Sequence, residues 1–463
     1  MKKITFFLLT FLIKLTLNAQ TAGTLDPNFG IAGTASITNE KYLIPYSIDF
    51  EAYSGEIATG GTYRTSTGKD VGFVERFDFY GNQRASFGTN GKLEISDLST
   101  TSQQVNEVLF TNNSGFIVRG TYKDAANTTV LFLRKYLANG TVDSSFGSGG
   151  ILTGIYGEIQ SSYIYYIKIN PVTLHQYLSR YNLADGTLDT TFNSSDFPFL
   201  NTDNYYYSSQ YRHINFQADG KIILCGYKTI NTVKYPFLGR YDGLGNLDTT
   251  FGNNGYYVGA NGGVAFQSKT QSDGKIIFID GYADAGVNKV LNRLNANGTV
   301  DTSYGTLGSF TYNFNFSGNF IDKIIMQSDD KILFCGTETM NTNGSLSSLY
   351  SARVNTSGVL DFWRQDLQSS YSENYSMAKL NDAFVLTYGL SSNANYTLSN
   401  SIIQRIYLKA PLISLIGDAY PNGNFVNDLD MSTINGTVYT LNNITLTSGK
   451  EVKFRIEHDW KLN

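Results

Sequence analysis

Two short stretches decide the fold because both recur along the chain in the same order. The first reads QADGKIILCG at residues 217–226, and the second reads GNLDTTFG at residues 245–252. The first returns, strongly or weakly, as QSDGKIIFIDG (271–281), QSDDKILFCG (327–336), SGEIATG (54–60) and SGFIVRG (114–120). The second returns as GTLDPNFG (23–30), GTVDSSFG (140–147), GTLDTTF (186–192) and GTVDTSYG (298–305), and in degenerate form as GNQRASFG (81–88) and GVLD (358–361). This self-similarity indicates a repeat protein.

The aspartate of the second stretch measures the length of the repeat. It stands at Asp26, Asp143, Asp189, Asp248, Asp301 and Asp361, and Arg84 replaces it once. Successive intervals are 58, 59, 46, 59, 53 and 60 residues. An arginine accompanies each unit, at Arg76, Arg134, Arg180, Arg240, Arg293, Arg353 and Arg405. The pattern therefore predicts seven units, and the shortest interval, which lacks the Asp-Gly turn, predicts a missing hairpin tip.

Each unit is predicted to form about four strands. In one unit, aromatic and β-branched runs cover residues 211–217, 221–227, 235–241 and 256–258. The Asp219-Gly220 turn joins the first two as a hairpin, because glycine accepts the positive φ that such a turn needs. Four strands per repeat of about 55 residues are typical of propeller blades. We expect an all-β, seven-bladed β-propeller, whose closure protects the sheet edges; a β-solenoid is the alternative.

These motifs resemble the delta-60 repeat family over about residues 21–408. The family pattern is Asp-Gly-x-Leu-Asp-x-x-Phe-Gly, followed by Gln-x-Asp-Gly-Lys-Ile and an Arg-Tyr pair. Three separate elements keep phase here over several copies, so the resemblance is specific. The family occurs in exported bacterial proteins and has no established chemistry, so the resemblance implies location and architecture rather than a reaction.

The composition agrees with an all-β fold and excludes other classes. Aromatic residues make up 14% and charged residues 16% of the chain, which is typical neither of disorder nor of a coiled coil. A net charge of −4 gives no phosphate-seeking field, so we expect no nucleic-acid partner. Three His and two Cys leave little material for a metal or disulfide framework. Cys225 and Cys335 share one repeat position, and we expect both to be buried free thiols.

The repeated aspartates have two interpretations. They are a candidate calcium ring, but calcium takes six to eight converging oxygens, and one carboxylate per blade converges only in a narrow channel. The favoured interpretation is structural: each Asp caps a tight turn by accepting the N–H two residues on. We expect no bound metal and no cofactor, and the sequence contains no recognisable set of catalytic residues.

The N-terminus predicts export. A basic start, an apolar run at residues 4–13 and a small residue at Ala19 are typical of a secretory signal peptide over residues 1–19. A membrane anchor is the alternative, but Lys14 interrupts a run that is shorter than the roughly 20 apolar residues needed to span. No other stretch is long and apolar enough. Residues 20–409 would then form the propeller of an extracellular, surface or periplasmic protein.

The repeat stops after residue 409, and residues 410–463 are predicted to form a partial β-sandwich module with strands near 412–417, 438–441, 444–446 and 451–456. The segment resembles the carbohydrate-binding modules of the SusE/SusF outer-membrane starch-binding proteins at IGDA (416–419), GTVYTL (436–441), VKFR (452–455) and DW (459–460). The family pattern continues beyond Trp460, whereas this chain ends at Asn463. The resemblance implies glycan binding with Tyr420 and Trp460 as stacking residues; a core position is equally compatible with Trp460.

These observations favour a non-catalytic binding or scaffold protein, expected to be monomeric, with a polysaccharide or a cell-surface protein as partner. An extracellular carbohydrate-active hydrolase or lyase is the second hypothesis. It predicts carboxylates or His with raised pKa values at one mouth of the channel. A purely structural or adhesion array is the third, and it predicts no pocket or aromatic patch.

Overall fold

The structure is a computed structural model, and it describes most of the repeat region. The described residues are 22–40, 43–99, 101–111, 114–170, 172–173, 175–192, 194, 214–260, 262–281, 290–311, 319–339, 347–369, 376–381, 383–392 and 399–408, together with the short strands 15–16, 413–417, 429–430, 432–433, 438–440 and 452–456. Within these ranges the fold is all-β, without an α-helix.

Seven antiparallel sheets follow one another along the chain, and each is one blade of a propeller. Blade 1 contains strands Ile44–Glu51, Glu56–Arg64, Asp70–Phe77 and Lys92–Ile95. Blade 2 contains Gln103–Phe110, Phe116–Lys123, Thr129–Tyr136 and Ile151–Thr153. Blade 3 contains Glu158–Gln160, Tyr163–Ile169 and Gln176–Asn182. Blade 4 contains Ile214–Phe216, Ile222–Ile230, Val233–Tyr241 and Tyr256–Val258.

The remaining blades follow the same order of neighbouring strands. Blade 5 contains Val264–Thr270, Ile276–Gly281, Val290–Leu294 and Ser309–Phe310. Blade 6 contains Asn319–Met326, Ile332–Thr339, Ser347–Val354 and Leu360–Ser369. Blade 7 contains Ser376–Lys379, Phe384–Ser392, Ser399–Tyr407 and, from the start of the chain, Thr34–Glu40. The predicted seven-bladed propeller is therefore confirmed, with four strands in six of the blades and three described strands in blade 3.

The N-terminal strand closes the ring. Thr34–Glu40 pairs antiparallel with Ser399–Tyr407 and so supplies the outermost strand of blade 7. Seven hydrophobic clusters then fill the seven interfaces between neighbouring blades, including the one between blades 7 and 1. Because every interface is filled, each blade buries both faces of its sheet against a neighbour, which suits strands rich in Val, Ile, Leu and Phe.

The first strands of the blades form the wall of a central channel. They lie side by side between blades 7 and 1, 1 and 2, 4 and 5, 5 and 6, and 6 and 7. Blade 3 has a short first strand, because Glu158–Gln160 turns back through Ser161 directly into Tyr163–Ile169. Ser161 has a φ of 54°, as a two-residue hairpin turn requires. The shortest unit was predicted to lack the hairpin tip that contains the Asp-Gly turn, and blade 3 indeed lacks this tip.

Short strands are described beyond the propeller. Ile413–Gly417 pairs with Leu429–Asp430 and with Val452–Ile456. Val438–Thr440 pairs with Ser432–Thr433 and with Leu15–Thr16. Strands were expected in three of these places. Tyr420 and Trp460, the expected strand at 444–446 and most of the expected signal peptide lie outside the described residues.

Candidate functional site: the repeated clasp and the central channel

The repeated aspartates are held in one geometry. One oxygen accepts the backbone N–H two residues on, at 3.0–3.2 Å, and the donors are Asn28, Ser145, Thr191, Thr250 and Ser303. The other oxygen accepts the Nε–H of the arginine on the third strand of the same blade, at 2.6–2.9 Å, in the pairs Asp26–Arg405, Asp189–Arg180, Asp248–Arg240, Asp301–Arg293 and Asp361–Arg353. Each carboxylate in these five pairs therefore faces a guanidinium, which opposes the approach of a cation.

The same arginines reach across to the next blade. Arg405 donates to the carbonyl of Phe79 at 2.6 Å, and Arg240 donates to the carbonyl of Ala296 at 2.5 Å. The Arg240 guanidinium also lies 4.7 Å from the ring centre of Phe251, the aromatic residue of the repeated motif. The repeated Asp, Arg and Phe thus form an interblade clasp, by which we mean this pair, its aromatic ring and its carbonyl partner.

Blade 1 carries the clasp with its charges exchanged. In blades 4, 5 and 6 a lysine joins the clasp aspartate, as Lys221 joins Asp248 at 3.1 Å. Blade 1 has Glu56 at the lysine position and Arg84 at the aspartate position, and these two side chains are 3.3 Å apart. Glu56 also pairs with the clasp arginine, Arg76. The loss of the aspartate is therefore compensated within the blade.

Blade 2 corrects the predicted arginine series. The residue whose carbonyl accepts the N–H of Asp143 is Lys135, and its ammonium lies 3.3 Å from that carboxylate and 2.8 Å from the carbonyl of Ala184 in blade 3. Arg134 points to the other face of the strand, where it makes two hydrogen bonds to Asp97 at 2.6 and 2.7 Å. The assignment of Arg134 to the series was wrong, because successive side chains of a strand alternate between faces.

Charged side chains that belong to no repeat meet at the channel. Asp49, Lys269 and Lys323 lie on the first strands of blades 1, 5 and 6, and all three are half-buried. Glu158 lies on the first strand of blade 3 and accepts a hydrogen bond from Arg119 of blade 2 at 3.3 Å. Blades 1, 2, 3, 5 and 6 thus each contribute at least one charge to the region around the axis.

The side of the channel between blades 2 and 3 is built around one buried guanidinium. Arg119 pairs with Glu107, and both side chains are almost completely buried. Arg119 also donates to the carbonyl of Gly157 at 2.5 Å and lies 5.0 Å from the ring centre of Tyr156. Burial raises the pKa of Tyr156 to about 12, and its hydroxyl has no hydrogen-bond partner among the described residues.

The remaining channel charges show the effect of confinement. Asp49 accepts the N–H of Phe110 at 2.8 Å. Burial raises the pKa of Asp49 to about 6, although this hydrogen bond and the charge of Lys323 oppose the rise. Burial lowers the pKa values of Lys269 and Lys323, although the charge of Glu158 opposes this fall at both lysines. The charge of Lys323 lowers the pKa of Lys269 further.

A second buried carboxyl lies between blades 4 and 5. Asp280 occupies the register position at which five other blades have glycine, namely Gly61, Gly120, Gly226, Gly336 and Gly389. It accepts a hydrogen bond from Asn292 at 3.3 Å, and its other oxygen lies so close to Gly263 that a Cβ there would sit 2.3 Å away. Burial raises the pKa of Asp280 to about 7.

A cleft of about 610 Å³ opens on the third and fourth strands of blade 1. Its polar lining includes Glu75, Gln83, Lys92 and Glu94. Glu94 accepts a hydrogen bond from Tyr63 and lies 3.4 Å from the Lys92 ammonium. Within the ranges that the structure describes, no group of three or more His, Cys, Asp or Glu side chains is arranged to hold a metal ion.

Sequence reasoning found the clasp residues and missed the channel residues. Asp49, Glu158, Lys269 and Lys323 stand outside the repeated motifs, and each comes from a different unit. The available signal was a charged residue inside a first strand whose neighbours are apolar, as in Asp49 between Ile48 and Phe50. Cys225 and Cys335, expected to be buried free thiols, are both free and buried.

Comparison with known proteins agrees with the repeat assignment. A family model described as "Domain of unknown function (DUF5122) beta-propeller", of the delta-60 repeat type, matches residues 217–251 and 271–304. No curated protein matches the chain in sequence. In the described part of the chain, no helix has the length and apolar character needed to cross a membrane.

Solved structures with a similar course of the chain include the following three. One is a protein of unknown function from Dyadobacter fermentans, with 9% identity and a TM-score of 0.37, covering 81% of this chain and 100% of that one. Another is the β-propeller domain of the Trilobed protease from Pyrococcus furiosus, with 8% identity and a TM-score of 0.41, covering 80% of this chain and 98% of that one. A third is the polysaccharide lyase Uly1, with 9% identity and a TM-score of 0.44, covering 86% of this chain and 99% of that one.

Proposed function

We propose that this protein is an exported, non-catalytic binding protein whose propeller is a rigid scaffold for a ligand site at the central channel. The observation that carries the proposal is the division of labour between side chains. Repeated Asp, Arg and aromatic residues hold neighbouring blades together, whereas the charged residues of the channel wall differ from blade to blade. Residues that fit no structural repeat and are held half-buried at one place are typical of a binding site.

A polysaccharide is the ligand class that best fits the whole chain. The pattern of residues 1–19 supports export, and the segment after residue 409 resembles a glycan-binding module. A mixed wall of carboxylates, ammonium groups and a tyrosine hydroxyl offers the donors and acceptors that sugar hydroxyls require. A cell-surface protein is the other partner that these features support.

The test is direct binding by the chain that begins at Gln20. Isothermal titration calorimetry against a panel of soluble neutral and acidic polysaccharides is expected to show saturable binding to at least one of them. Arg119→Met removes the guanidinium that holds Glu158, and we expect it to weaken that binding. Lack of binding to the whole panel by folded protein would remove the glycan part of the proposal.

A propeller hydrolase or lyase is the second candidate, and one observation favours it. Asp49 has a pKa raised to about 6, and Glu158 stands on the same channel wall, so that an acid and a base are both present. Assays for reducing ends and for the unsaturated products of a lyase separate this candidate from binding. Turnover that disappears in Asp49→Asn would establish catalysis.

A further inference from the structure

Two lysine residues lie on neighbouring first strands of the channel wall. Lys269 is on the first strand of blade 5 and Lys323 is on the first strand of blade 6. These two strands are neighbours around the axis. Neither ammonium group has a hydrogen-bond or ion-pair partner among the described residues, and each side chain keeps part of its surface accessible. The pair is therefore reachable from the channel.

The nearby carboxylates are engaged elsewhere. One oxygen of Asp49 is held by the N–H of Phe110 at 2.8 Å. Glu158 is turned toward Arg119, which it meets at 3.3 Å. The pair of lysines thus keeps a positive field that the protein does not neutralise by direct contact. Bringing two like charges together where water is limited costs free energy, and a bound anion would recover it.

We propose that Lys269 and Lys323 bind the anionic group of an acidic polysaccharide, a carboxylate or a sulfate, inside the channel. This inference rests on the proposed binding function and names the class of its ligand. An ammonium group donates charge-assisted hydrogen bonds to an oxyanion, and the two lysines supply two positive charges to neighbouring strands of the channel wall.

The wall between blades 2 and 3 offers a place for the sugar itself. The hydroxyl of Tyr156 is buried and has no hydrogen-bond partner among the described residues. A buried hydroxyl without a partner costs about 1–3 kcal/mol. A sugar hydroxyl at this position would satisfy it. The charge of Glu158 acts on Lys269, on Lys323 and on Tyr156, which places the three side chains around one region of the channel.

The experiment compares ligands that differ only in charge. Calorimetry with polygalacturonate and with its fully methyl-esterified form tests the carboxylate, and dextran sulfate with dextran tests the sulfate. We expect the charged member of one pair to bind at least about 10-fold more tightly than its neutral partner. That factor corresponds to one charge-assisted hydrogen bond.

Variants locate the effect. Lys269→Met and Lys323→Met should each weaken binding of the charged polymer about 10-fold or more, and Lys323→Arg should keep it within about 3-fold. Lys123→Met removes a charge at an exposed turn of blade 2, where the ammonium bonds the carbonyl of Asn127, and should leave affinity unchanged. Unfolding midpoints verify that each variant is folded, and Lys323→Arg carries the test if the Met variants unfold.

The outcomes separate the two proposals. Equal binding of charged and neutral polymers, or full affinity in the Met variants, overturns the anion site and leaves the binding function standing. No binding of any polymer, charged or neutral, overturns the anion site together with the glycan part of the proposed function. Preference for sulfate over carboxylate, or the reverse, identifies which oxyanion the lysine pair accepts.

Discussion

Asp280 makes the stability of the propeller depend on pH in a way that a single substitution should remove. The carboxyl is buried between blades 4 and 5, accepts a hydrogen bond from Asn292 at 3.3 Å, and has one oxygen without a partner among the described residues. Burial raises its pKa from 3.8 to about 7. Asp280→Asn keeps the size and shape of the side chain and removes the ionisation.

The sign follows from which state binds the proton more tightly. With a raised pKa the folded state holds the proton better than the unfolded state, so the native protein loses stability as pH rises from about 4 to about 7. Each pH unit within this range changes the free energy of unfolding by about 1.36 kcal/mol. Between pH 5 and pH 8 about two units fall inside the window, which gives up to about 2.7 kcal/mol. Residual contact with solvent lowers the expected loss toward about 1 kcal/mol.

The assay is urea unfolding of the wild type and of Asp280→Asn at pH 5 and pH 8. We expect the variant to gain 1–3 kcal/mol over the wild type on going from pH 5 to pH 8, which is about the range derived above. Asp219→Asn is the matched control, because Asp219 is an exposed turn residue of blade 4. A stability difference between variant and wild type that is the same at both pH values would refute the reasoning, whatever its size.

Three further predictions concern the clasp and the channel. Glu56→Lys should destabilise blade 1 by placing a third cation beside two arginines, and adding Arg84→Asp should restore most of the loss, which a double-mutant cycle of unfolding free energies measures. Asp26→Ala should cost about 3–5 kcal/mol, because it leaves the completely buried Arg405 without its partner, whereas Asp361→Ala, whose carboxylate is 33% exposed, should cost about 1 kcal/mol in the same urea assay. Asp49→Asn should raise the affinity for an acidic polysaccharide at pH 7 and flatten its increase below pH 6, because the variant removes a channel carboxyl whose pKa burial raises to about 6; calorimetry at pH 5 and pH 7 checks this.

The architecture was predictable because three motif elements keep phase. A hairpin turn, an arginine and an Asp-x-x-Phe loop mark the same places in most blades, so counting them counts the blades. The lateral position of a residue was less predictable. Arg134 and Lys135 are adjacent basic residues, and only the pairing of Lys135 with the Asp143 loop shows which of them faces the clasp. A shift of one residue along a strand moves the side chain to the other face of the sheet, and the repeat pattern does not determine the position to within one residue.

The closing strand and the channel were beyond the sequence for a different reason. Thr34–Glu40 contains no motif that identifies its partner strand, and its pairing with Ser399–Tyr407 joins positions more than 350 residues apart. The channel residues depend on such long-range closure as well. The charges of Asp49 and Lys323 interact only because the closed ring brings blade 6 and blade 1 to the same axis.

One register position shows why function is better sought where the repeat breaks. The residue of the first strand that lies across from the clasp arginine's partner is Asp49 in blade 1, Asn215 in blade 4 and Lys269 in blade 5. The surrounding backbone is the same, so the fold does not demand a particular side chain there. Asn215 satisfies itself by bonding Thr270 of the next blade at 2.9 Å. Lys269 has no such partner among the described residues. The fold therefore neither requires a lysine at this position nor provides its ammonium group with a hydrogen bond. We expect substitution of such a residue to weaken ligand binding first.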